Sequence, residues 1–337
     1  MSRLRTRPLR ARGRLGLSDA TRSWAIDNLA DGVAAPALVA ELVRAGVPRR
    51  VALAELAALS TSPLLPTLRA ERVARAQLEQ LVALRRRLEH DTIERRATPS
   101  ADEFYASYFH ANRPCVLPAF TEGWAARGWT PEGLAERLGD AELEVVRGRD
   151  AYPADYDRRS RQLAVRMPFR EYVALVRATS PTNDHYSVAH NRTMDRPAFT
   201  ALLEDVVIDD AWFDRGRLAG GTAFWFGPAG TVTPLHHDTT NILFCQLYGR
   251  KELTLVSPLE AALLGEARGF YSTLRASSEP FPARRHRVVL EPGDALFLPV
   301  GWWHEVRALD VSISFSLLAF RRPNVFDEYQ PGFVREG

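Results

Sequence analysis

Cysteine is nearly missing from this chain. Only Cys115 and Cys245 occur among 337 residues, far apart and each in an apolar stretch, which argues against a disulfide framework and a cysteine-built metal cluster. Long apolar runs are missing too: none approaches the ~18 residues that a membrane-spanning helix needs. Charge of one sign is not in excess, since 44 Lys and Arg face 41 Asp and Glu for a net charge of +3. So mild a basic balance does not point to nucleic acid. No internal repeat or low-complexity linker interrupts the chain. What is present, 46% hydrophobic and 25% charged residues, suits a globular protein with a substantial core, built as one large domain with an appendage or as two domains.

The first residues, "MSRLRTRPLRARGRLG", carry six arginines between Arg3 and Arg14 and no apolar stretch of the kind a secretory signal requires. Residues 1–17 read as a basic disordered tail and the protein as cytoplasmic. Residues 18–95 read as a helical bundle. Ser18 stands where a helix cap belongs, Pro36 and Pro48 sit at first-turn positions, and Gly32 and Gly46 separate the segments. A longer amphipathic helix over about 66–90 carries Val73, Leu78, Leu81, Leu84 and Leu88 among many charges. Its apolar face packs against the main domain or serves a homodimer or a recruited partner.

After Thr98 the texture changes. Residues 101–217 mix helices with short strands: "RPCVLPAF" reads as a strand, "TPEGLAERLGD" as a helix capped by Thr130, and "MPFREYVALVRA" as an amphipathic helix. From Gly221 to Phe320 the pattern is strands and turns, with "GTAFWFG", "NILFCQLYG", "KELTLVSP", "HRVVL", "ALFLPVGWWHEV" and "SISFSLLAF" punctuated by "GPAG", "YGRK" and "EPGD". Short strands with few intervening helices predict a barrel or sandwich rather than a parallel sheet. Residues 326–337 read as a C-terminal tail.

The barrel segment holds the chemistry. In "GTVTPLHHDTTNILF", strand alternation turns His236 and Asp238 to one face and His237 to the other. Histidine and carboxylate on one face make two metal ligands. A third is expected from a facing strand, and "PGDALFLPVGWWHEV" offers His304, 66 residues after Asp238. Two histidines and one carboxylate form the facial set that leaves positions open on iron(II). His90, His110 and His286 lie outside this pattern. His185 and His190, beside Tyr186, are candidates for lining a pocket.

"GTVTPLHHD" through "GRK", together with "GDALFLPVGWWHEVRALDVSISFS", resembles the Jumonji C, cupin-8-like oxygenases, and within them the protein hydroxylases of the factor-inhibiting-HIF type. The resemblance covers about residues 100–322. It implies a mainly β double-stranded β-helix with flanking helices, occupying about 96–325 with a barrel core near 221–320. It also implies Fe(II) held by His236, Asp238 and His304, with 2-oxoglutarate and O2 as co-substrates. The family's basic residue for the distal carboxylate of 2-oxoglutarate falls on Lys251, and its hydroxyl partners on Thr233 and Tyr186. A lysine supplies a charge for a carboxylate and the hydroxyls supply oriented hydrogen bonds.

Two departures from the family pattern concern the inner carboxylate of that co-substrate. Many relatives have Asn six residues after the first ligand, where this chain has Ile242; Asn241 takes that role through a local bulge or belongs to the strand turn. Ser316 stands where relatives carry an Asn late in the final strand. Trp225, on the first barrel strand, faces the substrate or belongs to the core, and His190 is the second candidate for touching substrate.

The expected activity is hydroxylation of an unactivated C–H on a protein or peptide side chain. The alternative keeps the chemistry and makes the substrate a small metabolite. A third reading is a cupin with a binding or isomerase role, since Gly293, Pro299, Gly301 and His304 fit the general cupin signature; His-x-Asp in place of His-x-His, with Lys251, weighs against it. Lysine demethylation is disfavoured because no zinc-binding cysteine cluster accompanies the domain.

Overall fold

The computed structural model describes residues 16–188, 192–265, 267–268 and 270–331. The chain divides into two compact units, with the boundary in the sequence between Glu89 and His90.

The first unit is helical: α1 (Asp19–Ala30), α2 (Ala35–Arg44), α3 (Arg49–Ser60) and α4 (Leu64–Leu88). The Ser18 hydroxyl accepts from the Thr21 amide and so caps α1. Pro36 lies in the first turn of α2, whereas Pro48 is one residue ahead of α3, in extended backbone. Leu29, Leu38, Leu42, Ala52, Leu56 and Leu65 form a core belonging to this unit alone. Among the described residues no single helix is long and apolar enough to cross a membrane.

The second unit contains β1 (Glu94–Arg95), β2 (Cys115–Leu117), β3 (Glu142–Arg147), β4 (Ala164–Pro168), β5 (His185–Tyr186), β6 (Thr222–Gly227), β7 (Val232–His236), β8 (Ile242–Tyr248), β9 (Lys251–Val256), β10 (Ala267–Arg268), β11 (Tyr271–Ser272), β12 (His286–Leu290), β13 (Ala295–Leu298), β14 (Trp303–Ala308) and β15 (Ser312–Leu317). Two six-stranded sheets hold most of them, in the orders β1-β2-β13-β8-β15-β6 and β10-β11-β7-β14-β9-β12. This is the jelly-roll arrangement of a double-stranded β-helix. A smaller sheet, β4-β3-β5, joins through a bridge between Ser187 and Phe226 of β6.

The first sheet is buried on both faces, which is why its strands read as unbroken apolar runs. On β8, Leu243, Cys245 and Leu247 point to the flanking helical layer and share a core with Phe104, Trp129 and Phe169 and with Phe315 of the neighbouring β15. The alternate Phe244 faces the second sheet and packs with Leu253, Leu255, Leu296 and Leu298. The edge strand β12 is wetter and alternates buried with exposed residues. Strands β1 and β2 extend the first sheet through β13 and were not part of the barrel core expected at 221–320. Both cysteines are free and buried.

Candidate functional site

Strands β7 and β14 run antiparallel with His236 directly opposite His304, so both imidazoles project to the same face between the sheets. Their ring centroids lie 4.1 Å apart. Asp238 stands just past the end of β7 rather than within it, and its carbonyl accepts from the Gly301 amide, tying this turn to the one that leads into β14. Its carboxylate lies 3.5 Å from His304 Nε2. One ligating atom from each of His236, Asp238 and His304 lies within 4.8 Å of the others, as three ligands of one metal ion require.

Each imidazole is oriented from behind. His236 Nδ1 is 2.7 Å from the Pro234 carbonyl, and His304 Nδ1 is 3.0 Å from the Trp302 carbonyl. A carbonyl only accepts, so both protons sit on Nδ1 and both Nε2 lone pairs are free for a metal. Burial, with His236 next to it, pushes the His304 imidazole down to about 3, so the ring stays in the neutral form a metal binds.

A register shift explains why Thr233 shares this face. Thr233 pairs with Val306 and His236 with His304, so Pro234 and Leu235 together oppose the single residue Glu305. That bulge turns residues three apart toward the same cavity, and the proline sits where no ladder donor is needed. Thr233 lines the cavity, with Leu235 packed outside against Trp303 and Val256.

Lys251 opens β9 and its side chain is entirely buried in this cavity. Its ammonium donates to Tyr186 Oη at 2.9 Å and lies 5.3 Å from the Phe244 ring centroid. Burial pushes the amine down to about 7. Two glycines make the arrangement possible. Gly249 has φ +63°, and a Cβ there would come within 2.1 Å of the Val311 carbonyl oxygen, so only glycine closes the tight β8–β9 turn. A Cβ on Gly227 would lie 2.5 Å from the Tyr186 ring, so that glycine leaves room for the tyrosine that holds the lysine. The Gln246 amide donates to the Tyr248 and Gly249 carbonyls and accepts from Ser314 Oγ, fixing the same turn.

Trp225 lines the cavity, half-buried, and donates from Nε1 to Ser316 Oγ at 3.2 Å; its ring stacks against Tyr186. Ser316 is thus placed at the cavity wall as the sequence suggested. Asn241 is not. Its backbone and side-chain N–H groups donate to Asn324 Oδ1, its Oδ1 accepts from the Val300 amide, and it does not line the cavity. The amide is consumed in clasping the β7–β8 turn to the chain segment before His304, so the role of cofactor ligand is withdrawn. His190 lies outside the described residues. His185 is buried away from the cavity, with its ring nitrogens near Thr179 Oγ1 and Tyr172 Oη. His237 does turn away from the metal ligands, but it is no solvent-facing neighbour: it is fully buried, edge-on to Trp303 at 4.7 Å and against Phe270 and Tyr329.

Sequence reasoning missed Arg149. It is 3% exposed and lines the same cavity, reached by a segment far upstream of the barrel. Nothing in its local sequence marks it, because only the fold of residues 146–160 over β7 brings it there.

The cavity measures about 250 Å³. That is below the ~300–1,000 Å³ of pockets for drug-sized ligands, and suits a compact acid rather than a bulky cofactor. A fully buried amine with a hydroxyl partner fits a carboxylate, and two Nε2 atoms with one carboxylate fit an octahedral metal with positions to spare.

A double-stranded β-helix with this donor set between its sheets is a cupin fold with three side chains suited to a metal ion. Residues 101–318 match the family model described as a cupin-like domain. Jumonji C domain-containing protein 5 of Drosophila melanogaster is 29% identical over 261 residues, covering 72% of this chain and 63% of its own length. Lysine-specific demethylase 8 of Xenopus tropicalis is 29% identical over 233 residues, covering 65% of this chain and 50% of its own. Lysine-specific demethylase JMJ30 of Arabidopsis thaliana is 28% identical over 243 residues, covering 66% and 54%. The chain belongs to the cupin-like domain family and is similar to these Jumonji C proteins. It spans roughly half to three fifths of the length of these relatives.

Proposed function

We propose that this chain is an Fe(II)- and 2-oxoglutarate-dependent oxygenase that hydroxylates an unactivated C–H, with a protein or peptide side chain as the leading substrate. The observation that carries the reading is one cavity holding both the three-ligand cluster and the buried Lys251–Tyr186 pair. His236, Asp238 and His304 would hold the metal. Iron(II) bound there would supply the oxidative chemistry that couples decarboxylation of the keto acid to succinate with insertion of one dioxygen-derived oxygen into the substrate C–H.

The protein's own residues bind and orient. Lys251, protonated once the acid is bound, pairs with the distal carboxylate of 2-oxoglutarate, Tyr186 and Thr233 add hydroxyls, and the apolar walls from Phe244, Leu253 and Val306 exclude water. Trp225 and Ser316 shape the wall against which the acid lies. Relatives named as lysine-specific demethylases share the family. Stable hydroxylation is favoured over demethylation because the chain has only two cysteines, both free and buried, and so no cysteine zinc cluster. A second reading, the same chemistry on a small metabolite, gains from one observation: Val146, Arg149, Tyr156, Asp157 and Tyr186 wall the cavity from the segment between 140 and 200.

The test is anaerobic reconstitution with Fe(II), then succinate formation in air with ascorbate. A 16-dalton mass gain is sought across peptide and metabolite panels. Formaldehyde release from methyl-lysine peptides without stable hydroxylation moves the assignment to demethylation. Neither binding nor turnover of 2-oxoglutarate ends the oxygenase reading.

A further inference from the structure

Arg149 is a buried guanidinium that the co-substrate does not require. In the reading above, the two carboxylates of 2-oxoglutarate are met by Lys251 and by the metal, yet the cavity holds this second buried cation. Gly148, in left-handed backbone, ends β3 and turns the chain, and the Arg149 amide donates to the Asp184 carbonyl. The side chain then reaches β7, where Nη2 donates to the Val232 carbonyl at 2.6 Å. Tyr156 Oη donates to the same carbonyl, and its ring lies 4.1 Å beneath the guanidinium carbon. That carbon is also 5.7 Å from the Tyr186 ring, the tyrosine that holds Lys251.

Backbone and ring thus hold the guanidinium in place and leave one end of it free. Nη1 is buried and has no hydrogen-bond partner among the described residues. No ion pair joins Arg149 to a carboxylate among them. Asp157 shares the cavity wall and feels the charge of Arg149, but that of Arg275 more strongly. A buried donor without a partner destabilises the fold, and more so when it is charged. Such a group fits a site that meets its partner only when a ligand arrives, and a guanidinium with Nη1 free matches a carboxylate.

We infer that Arg149 is a specificity-determining residue that takes a carboxylate of the molecule hydroxylated. The substrate is therefore an acidic one, either an Asp or Glu side chain in a peptide or a free amino or hydroxy acid. This inference rests on the oxygenase reading and names its substrate class. Tyr156 acts through Arg149 as a positioning residue, its ring and hydroxyl fixing the guanidinium against β7.

The experiment uses the full chain with Fe(II), ascorbate and 2-oxoglutarate, and reads succinate formed with and without a probe. The probes are L-aspartate and L-glutamate, each against its diamide, and terminally blocked hexapeptides with a central Asp or Glu, each against its Asn or Gln counterpart. Carboxylate probes are expected to stimulate turnover at least fivefold, and amide counterparts to leave it near the unstimulated level. Stimulation by the peptides alone, or by the free acids alone, identifies the source. Arg149→Gln is expected to bring the stimulated-to-unstimulated ratio close to one and Arg149→Lys to restore part of it. A lesion of the fold lowers both rates and does not move that ratio. Equal stimulation by amides, a ratio that Arg149→Gln leaves intact, or no response to any carboxylate overturns the inference. Failure of Mn(II)-loaded wild type to bind 2-oxoglutarate instead removes the oxygenase reading on which it rests.

Discussion

Lys251 sets the electrostatics of the cavity. In the unfolded chain its amine is charged up to about 10.5, and in the fold it gives up its proton near 7. Between those values the folded chain binds fewer protons, so the ligand-free protein gains stability as pH rises through that window. Binding a carboxylate reverses the shift and takes up a proton. The affinity for 2-oxoglutarate is therefore expected to fall by up to about tenfold per pH unit above pH 8. Lys251→Met should remove both the affinity and the slope. Calorimetric titration from pH 6.5 to 9.5 checks this, and a flat profile in the wild type contradicts it.

His237 gives the second prediction at this scale. Packed between Trp303, Phe270 and Tyr329, it is a core residue, and burial keeps its imidazole neutral. His237→Ala is expected to cost about 2–4 kcal/mol of stability through the cavity it leaves. A fall in melting temperature with the ligand set still binding Mn(II) is the expected result, and an unchanged melting temperature contradicts it. The alternation of His236 and His237 was legible in the sequence. The depth of His237 was not, since the rings that cover it come from three separate segments.

At the scale of elements, the site depends on two turns and one bulge. Gly227 admits Tyr186, and Tyr186 is the hydroxyl partner of Lys251. Gly227→Ala forces that ring to move, and a loss of 2-oxoglutarate affinity of about tenfold is expected, roughly one charge-assisted hydrogen bond. Titration of the variant checks it; unchanged affinity would mean that Tyr186 does not position the amine. The long barrel strands were readable as apolar runs because both faces of the first sheet are covered. Strands β1 and β2 were not, because pieces of two or three residues carry no periodicity and gain their pairing only from β13. Asn241 looked like a displaced ligand because its clasp partner, Asn324, lies 83 residues away. Arg149 was invisible for the same kind of reason.

At the scale of the whole molecule, the helical unit has its own core, while α4 leaves Leu78, Leu81, Leu84 and Leu88 exposed. An apolar stripe of this kind suits association. Light scattering of the full chain is expected to report a dimer or larger species, and Leu81→Glu to weaken it; a monomer at high concentration contradicts that expectation.

The barrel unit brings three ligands and a buried amine into one cavity, and the most direct test uses both halves together. Calorimetry of 2-oxoglutarate binding to the wild-type protein, with and without saturating Mn(II), makes that comparison. The account predicts binding that requires the metal and is lost in both Asp238→Ala and Lys251→Met. Tight metal binding with no response to the keto acid would contradict it.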